Sequence, residues 1–369
     1  MKIIRICFLI CVSSIFFSCD SGGGDNDQGN IDGFNREILL LNLCDNIIIP
    51  AYNDFYNSLE ELEFSINLFV QNPSIDLLNN VSNDWLIAYK LWQHVEMFDI
   101  GLAEVINYKG KMNIYPVDVA LINANMLAES YDLNNNNNFD SRGFPAIDYM
   151  LHGLGDNKNL IVDIYNSDLA YSEYLVALID AMIYNTDLVI DDWNSNRQSF
   201  INSSSNTATS SLNKLVNDFI YYFEKGFRAN KIGIPAGVFS IDPLPNTVEA
   251  FYKKDVSKAL AQEAFWASRN FYQGNYYNSN NSDVGLDDYL EYLHVESSDN
   301  NLNSIIMEQF ANAEILLNEL ENDFVYQIES NNNSMLYTYD AIQLLVISFK
   351  VDMLQSLSIS VDYVDADGD

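Results

Sequence analysis

An acidic residue and a histidine stand one helical turn apart in the segment GFPAIDYMLHG, which begins at Gly143. Asp148 and His152 are four positions apart, so a helix places both side chains on one face. Pro145 is typical of the first turn of a helix, which puts Asp148 and Tyr149 near its middle. An acid and an imidazole on one face can bind a metal ion or relay a proton.

A structural role for the same pair is the alternative. Asp148 stands among apolar neighbours, and an acid in such surroundings needs a partner. Arg142 and Arg269 are the cationic candidates, and His152 would then be a half-buried residue near the end of the helix. The sequence leaves both interpretations open.

A second candidate acid lies in WLIAYKLWQHVEMFDIG, residues 85–101. Trp92 and Glu96 fall on one side of a predicted helix that is otherwise apolar there, so the Glu96 carboxylate is expected to be partly buried. Proteins retain buried acids for ligand binding, hydrogen bonding or ion pairing. Glu96 is therefore a binding-site candidate, with a structural ion pair as the alternative. His94 is two positions away and points elsewhere.

The usual catalytic signatures are missing from the sequence, which contains no GxSxG, GxxxxGK[ST], HExxH or CxxC. The chain has 3 histidines, so a metal site would use mostly oxygen ligands. Such a site suits iron(III), calcium or magnesium better than zinc. The candidate metal ligands are Asp148, Glu96 and His152.

The N-terminus has the pattern of a lipoprotein signal. Lys2 and Arg5 precede an apolar run, residues 6–17, that is too short for a permanent membrane helix. We expect residues 1–18 to be removed and Cys19 to carry the lipid. The Gly- and Asp-rich stretch over 19–34 would form a flexible tether. The prediction is a protein anchored in the cell envelope, on the periplasmic face of the outer membrane or on the cell surface.

Composition excludes one class of partner. The chain has 52 acidic and 18 basic residues, for a formal net charge of −34. Binding to nucleic acid needs a basic surface, so a nucleic-acid partner is excluded. Cys44 is the one cysteine beyond the predicted lipidation site, so the mature chain should form no internal disulfide. The hydrophobic core must therefore hold the fold.

Apolar residues recur at helical spacing, which predicts an all-α protein of two packed helical bundles. The first predicted helix spans 35–69, with a kink at Pro50. Further helices are expected over 82–98, 117–129, 145–151, 167–194, 212–227, 248–273, 287–293, 303–329 and 335–356. A polar run after Asn194 indicates the division into an N-terminal bundle, 35–195, and a C-terminal bundle, 206–369.

Several segments together resemble the imelysin family of bacterial envelope proteins, which includes insulin-cleaving-protease-like and iron-regulated members. In chain order they are IIIPAYNDF, WLIAYKLWQHVEMFDIG, NIYPVD, GFPAIDYMLHG, IGIPAG, VEAFYKKDVSKAL, GLDDYL and the terminal DADGD. The resemblance covers nearly the whole mature chain. It implies two helical bundles side by side, with a cleft between them lined by the family's GxHxxE motif.

That motif is altered in this chain. By position, Gly143 takes the place of the Gly, Pro145 that of the His and Asp148 that of the Glu. The His-x-x-Glu pattern, on which a metal or peptidase role in the family rests, is absent, because none of the histidines has Glu three places on. The resemblance therefore favours binding over proteolysis.

The resulting hypothesis is a lipid-anchored binding protein for iron, another hard cation, a chelate or a peptide-like ligand, with iron-transport components as candidate partners. The predicted cleft residues are Trp92, Glu96, Gly143, Pro145, Asp148, Tyr149, His152 and Arg269. A divergent metallopeptidase is one alternative, and a scaffold whose cleft is only a domain interface is the other.

Overall fold

The computed structural model describes residues 32–128, 130–297 and 301–362. The predicted signal peptide, Cys19, most of the tether and the terminal DADGD lie outside these ranges. Within them the regular elements are helices, and the extended pairing is one isolated bridge between Asn275 and Ser282. The all-α prediction is confirmed. None of the described helices combines the length and apolar character needed to cross a membrane.

The first half of the chain is built on a long helix packed between two others, with α2 contacting both α3 and α9. The helices are α1 (Arg36–Asn42), α2 (Ile49–Gln71), α3 (Ile75–Trp92), α4 (Leu102–Val105), α5 (Lys109–Met112), α6 (Val119–Leu127), α7 (Gly143–Asp148), α8 (Lys158–Ser167) and α9 (Leu169–Asn202). Helix α3 begins after Ser74, whose side chain accepts a hydrogen bond from the N–H of Leu77.

The second half of the chain is also built from helices that pack against one another. Its helices are α10 (Ser211–Tyr221), α11 (Ile234–Ala236), α12 (Ser257–Tyr272), α13 (Leu286–Ser297), α14 (Leu302–Glu319), α15 (Phe324–Ile347) and α16 (Leu354–Ser356). Helix α14 packs against α15 and α12, and α12 also crosses to contact α3 in the first half. We propose that the two groups of helices are separate bundles joined by residues 203–210.

Wider π-helical turns interrupt several helices, and two of them precede a proline. Leu43–Ile48 lies before Pro50, and Tyr222–Gly233 lies before Pro235. Proline has no N–H and crowds the carbonyl four residues earlier, and a wider turn moves that carbonyl aside. The predicted kink at Pro50 is therefore a widened turn between α1 and α2. Tyr149–Gly153 and Ser348–Met353 are the other π-helical segments.

One predicted helix starts too early. The helix expected over 248–273 begins at Ser257, and the residues before it form turns. Ala250 and Lys254 have φ of 58° and 70°, values that a helix does not allow. Turn-forming contacts from another part of the chain, described below, override the local helical pattern here.

Other predicted helix boundaries differ from the structure as well. The helix expected over 82–98 spans Ile75–Trp92. The helix expected to end at Asn194 continues to Asn202, with Ile201 still buried. The helix expected over 303–329 is two helices, because the side chain of Asp323 accepts hydrogen bonds from the N–H groups of Val325 and Tyr326 and begins α15.

Candidate functional site

Helix α7 begins where its glycine passes close to another backbone. Gly143 has a φ of 71°, and a Cβ atom there would lie 2.1 Å from the carbonyl oxygen of Met112. Glycine alone fits this conformation and this approach. Pro145 is buried in the first turn and borders a cavity of about 170 Å³. Gly143 thus allows the two backbones to approach closely, and Pro145 forms an apolar part of the cavity wall.

Asp148 is 1% exposed, and both of its carboxylate oxygens accept hydrogen bonds. Oδ2 accepts from the backbone N–H of Tyr252 at 2.9 Å, and Oδ1 accepts from that of Lys253 at 3.0 Å. Oδ1 also lies 2.9 Å from Nδ1 of His152. These contacts satisfy a buried carboxylate and fasten the turns of residues 248–256 to α7.

Both arginines considered as partners of Asp148 are engaged elsewhere. Arg142 donates to the carbonyl oxygens of Gly110 and Leu133. Arg269 pairs with Glu314 in a separate cleft. The side-chain partner of Asp148 is therefore its own helical neighbour, His152.

Ser82, His152 and Asp148 form a hydrogen-bonded series. Nε2 of His152 lies 2.8 Å from Oγ of Ser82, and the imidazole packs edge-on against the ring of Trp85. The order of the three groups is that of a hydrolase triad. Ser82, however, is buried inside α3, whereas the nucleophilic serine of a GxSxG elbow stands at an exposed turn. We assign the series the structural role of orienting His152 and Asp148.

Glu96 lies in the turn that ends α3, where its N–H donates to the carbonyl of Trp92 at 3.0 Å. Its carboxylate accepts from Nδ2 of Asn113 at 3.2 Å and lies 3.6 Å from Nζ of Lys231. Burial raises the pKa of Glu96, the Lys231 ammonium opposes the rise, and the neighbouring Glu249 adds to it.

Lys231 is the centre of this buried cluster. Its Nζ lies 2.7 Å from each carboxylate oxygen of Glu249, which also accepts from Asn113 at 2.9 Å. Lys231 and Glu249 are 2% and 3% exposed. A buried ammonium needs close anionic partners, because leaving it unpaired costs several kcal/mol, of the order of 3–5. The ammonium lies where Glu96 and Glu249 would otherwise share a cation.

Tyrosines connect this cluster to the 170 Å³ cavity. Burial raises the pKa of both Tyr115 and Tyr222, and the carboxylates of Glu96 and Glu249 raise it further. Tyr115 also borders the cavity. The full lining is Tyr115, Pro116, Val117, Pro145, Asp148, Asn246, Val248, Ala250, Phe251 and Tyr252.

The donor set does not suit a bare iron ion. Within the described ranges, no three or more His, Cys, Asp or Glu side chains are arranged to hold a metal ion. The Lys231 ammonium already lies between Glu96 and Glu249, and Asp148 already has three hydrogen-bond partners. The predicted ligands Asp148, Glu96 and His152 belong to two different hydrogen-bonded sets.

Two aromatic residues predicted for the cleft have packing roles. Trp92 is fully buried, with ring centroids 5.6 Å from Phe55 and 5.4 Å from Tyr108, so it belongs to the core of the first half. Tyr149 is half-buried, and its ring lies 5.1 Å from that of Tyr252. It therefore supports the same segment that Asp148 fastens.

A much larger cleft, of about 780 Å³, lies beside the contact between α3 and α12, and we call it the Trp266 cleft. It is lined by Asp54, Leu91, His94, Glu263, Trp266, Arg269, Asn270, Tyr276, Tyr277, Asn278, Ser279, Asn280 and Glu314. Its walls combine aromatic rings, amides and charged groups from both halves of the chain.

Helix α12 supplies one wall of the Trp266 cleft. Nη1 of Arg269 donates to Oε2 of Glu314 at 2.6 Å, and Nε1 of Trp266 donates to Oε1 of the same carboxylate at 2.8 Å. Two donors thus fix the Glu314 carboxylate, which is about one-quarter exposed. The indole and the guanidinium are thereby held against the same carboxylate on this wall.

Glu263 joins this wall to the first half. It accepts from Nζ of Lys90 at 3.0 Å and lies 3.3 Å from Nε2 of His94. Burial by itself would raise the pKa of Glu263, but the hydrogen bonds from His94 and Lys90 lower it below the usual range. The carboxylate is therefore ionised and paired.

The opposite wall is a loop that reaches across to α2. The hydroxyl of Tyr277 donates to Oδ2 of Asp54 at 2.6 Å, and its backbone N–H donates to the carbonyl of Asn46 at 2.8 Å. Burial and the Asp54 carboxylate raise the pKa of Tyr277, so the phenol stays protonated as the donor.

The eight predicted cleft residues all lie in the described ranges. Of these, Arg269 is the one that lines the Trp266 cleft. Sequence reasoning missed Glu263, Trp266 and Glu314. A signal was available, because Glu263, Trp266 and Arg269 are spaced three apart and so share one face of a helix.

Two solved structures share the fold. An imelysin-like protein from Psychrobacter arcticum superposes with a TM-score of 0.69 at 18% identity, covering 89% of this chain and 97% of the other. A protein named as an iron-regulated protein A precursor from Parabacteroides distasonis gives a TM-score of 0.72 at 16% identity, covering 88% and 95%. Identities this low establish the fold alone.

Sequence comparison gives a relative and a family. Iron-regulated protein A of Synechococcus elongatus is 22% identical over 159 residues, which are 41% of this chain and 40% of that protein. This chain thus matches less than half the length of that relative. The Imelysin family model matches residues 48–347, most of the chain. The chain therefore belongs to the imelysin family.

Proposed function

We propose that this protein is a lipid-anchored binding protein of the cell envelope and that the Trp266 cleft binds its ligand, an iron chelate. The observation that carries the proposal is the cleft itself, about 780 Å³ in volume and bordered by aromatic, amide and charged side chains. Sites for small organic ligands typically measure roughly 300–1,000 Å³. The 170 Å³ cavity beside Pro145 is too small for such a ligand.

Iron enters the proposal through two relatives that are named as iron-regulated proteins. Their names concern those proteins, and the donor set of this chain narrows what iron species would fit. A bare ion needs a compact group of carboxylate or imidazole ligands. Glu96 and Glu249 share Lys231, and Asp148 already accepts from Tyr252, Lys253 and His152, so iron already held by an organic chelator is the better candidate.

The two alternatives make different predictions. A divergent metallopeptidase would cleave a protein substrate and lose that activity with a chelator. An interaction scaffold would bind neither metal nor chelate. The ion-paired acids and the aromatic rings of the Trp266 cleft favour reversible binding of a polar molecule over both.

The direct test is titration of the mature protein with iron(III) chelates, followed by calorimetry and by quenching of Trp fluorescence. We expect saturable 1:1 binding that Arg269→Ala weakens by about tenfold, because Arg269 holds Glu314 at the opening. Arg197→Ala is the matched control, since Arg197 pairs with Asp45 outside the cleft. The proposal would be contradicted if the wild type did not bind the chelates, or if Arg269→Ala bound them as tightly as the wild type does.

The anchor is tested separately. Cys19→Ala should leave a folded protein that no longer sediments with membranes, because acyl chains provide the attachment. Fractionation with a high-salt wash measures this. A variant that remains membrane-bound would rule out lipidation at Cys19 as the anchor.

A further inference from the structure

The charges of the Trp266 cleft do not balance. Two of its carboxylates have cationic partners, since Glu314 accepts from Arg269 and Glu263 accepts from Lys90. Asp54, the third, accepts from the hydroxyl of Tyr277, a neutral donor that leaves the negative charge in place. Among the described residues, the negative charge of Asp54 therefore has no cationic partner, and the cleft has an excess of negative charge there.

That position lies beside aromatic rings. Tyr277, which hydrogen-bonds to Asp54, also packs against His94, with 5.5 Å between the centroids of the two rings. Tyr276 and Trp266 line the same cleft. Aromatic faces attract organic cations electrostatically, and a nearby carboxylate adds to that attraction. An ammonium group with an aliphatic stem meets both requirements.

The net charge of the whole molecule also favours a cationic ligand. A formal net charge of −34 repels anions approaching the surface, and repulsion is focused inside clefts with acidic walls. Iron(III) chelates differ widely in charge, because trihydroxamates with a free amine are cationic whereas triscatecholates are polyanionic. The field of the protein therefore selects between chelate classes before any contact is made.

We infer that the ligand of the Trp266 cleft carries a free ammonium group that Asp54 receives, with the body of the ligand against Trp266 and Tyr276. This inference rests on the proposed function, and it names the ligand class as a cationic hydroxamate-type iron chelate. Asp54 acts as the specificity-determining residue, whereas Arg269 and Glu314 shape the opening.

The test compares three iron(III) chelates on the mature protein by calorimetry. They are a linear trihydroxamate with a terminal amine, the same chelate with that amine acetylated, and a triscatecholate. We expect the amine form to bind more tightly than the acetylated form by about tenfold or more. The triscatecholate should bind most weakly. Acetylation removes one charge and changes little else, so the first two chelates are a matched pair.

Two variants locate the effect. Asp54→Asn should abolish the preference for the amine form while leaving affinity for the acetylated form within about twofold. Tyr277→Phe removes the hydrogen bond but keeps the Asp54 charge, so the preference should remain. Equal binding of the matched pair by the wild type, or a preference that survives in Asp54→Asn, overturns this inference alone. Binding of none of the three chelates overturns the proposed function and this inference with it.

Discussion

The backbone N–H of Tyr277 donates to the carbonyl oxygen of Asn46, to which Pro50, four residues on, has no N–H to donate. In an ordinary α-helix this oxygen would accept from the residue four places on. Proline has no N–H, and the widened turn of Leu43–Ile48 keeps its ring clear of the carbonyl. A local defect in one helix thereby positions the loop that forms a wall of the Trp266 cleft.

Pro50→Ala tests this relationship. The new N–H can compete for the Asn46 carbonyl, so the Tyr277 amide should exchange with solvent faster by about fivefold, as expected for a lost hydrogen bond of about 1 kcal/mol. Hydrogen exchange measured by mass spectrometry over residues 273–285 reports it. Pro235→Ala, the same change after the other π-helical segment, is the control and should leave this loop unaffected. Unchanged exchange at Tyr277 in Pro50→Ala would count against the relationship.

Asp148 should matter for stability more than for ligand binding. Asp148→Ala removes the acceptor of the part-buried N–H groups of Tyr252 and Lys253, which should lower the free energy of unfolding by about 2–5 kcal/mol. Urea denaturation measures the loss, with the exposed Asp191→Ala as the control. Chelate affinity of the folded variant should stay within about threefold of the wild type. Strong loss of binding with unchanged stability would instead place Asp148 in the ligand site.

Lys231 should be required for stability because it pairs with two buried carboxylates. Lys231→Met leaves Glu249 and Glu96 buried without their cation, and we expect a loss of about 3–5 kcal/mol in unfolding free energy. The double variant Lys231→Met with Glu249→Leu should recover much of that loss, because it removes a charge along with its partner. A double variant that is less stable than the single one would show that the pair does not act as a unit.

Cys44 should be chemically silent in the folded protein. The residue is fully buried, and burial, with help from Asp45, raises the pKa of its thiol to about 12. At pH 8 the thiolate fraction would then be of the order of 10⁻⁴. A thiol reagent such as an aromatic disulfide should react only after urea unfolds the chain. Rapid labelling of the native protein would contradict this.

Asp218 should make stability fall as the pH rises. Burial, followed by the neighbouring Asp99, raises the pKa of Asp218 to about 8, above the ordinary value of 3.8. Because the folded state holds this proton more tightly than the unfolded state, the stabilisation is complete below about pH 4 and is lost between about pH 4 and 8. Asp218→Asn should therefore raise the melting temperature at pH 8 and change it little at pH 4. Asp191→Asn is the control, and an equal effect of Asp218→Asn at both pH values would refute the assignment.

The sequence by itself determined the class of fold and the family. Helical spacing of apolar residues decides which side of each helix is buried, and this local property predicted the all-α architecture. It also predicted a disturbance at Pro50, since a missing N–H acts within one turn. The resemblance to the imelysin family, carried over by position, indicated the altered motif at Pro145 and Asp148.

Tertiary structure decided what those residues do. Asp148 accepts from Tyr252 and Lys253, more than a hundred positions away, and these bonds turn a segment with helical spacing into the turns before Ser257. Lys231 meets Glu96 and Glu249, and Asp54 meets Tyr277, only because separate helices pack together. Charge pairing depends on distances through space, which spacing along the chain does not specify, and so the cleft and its unbalanced carboxylate emerge only in the folded protein.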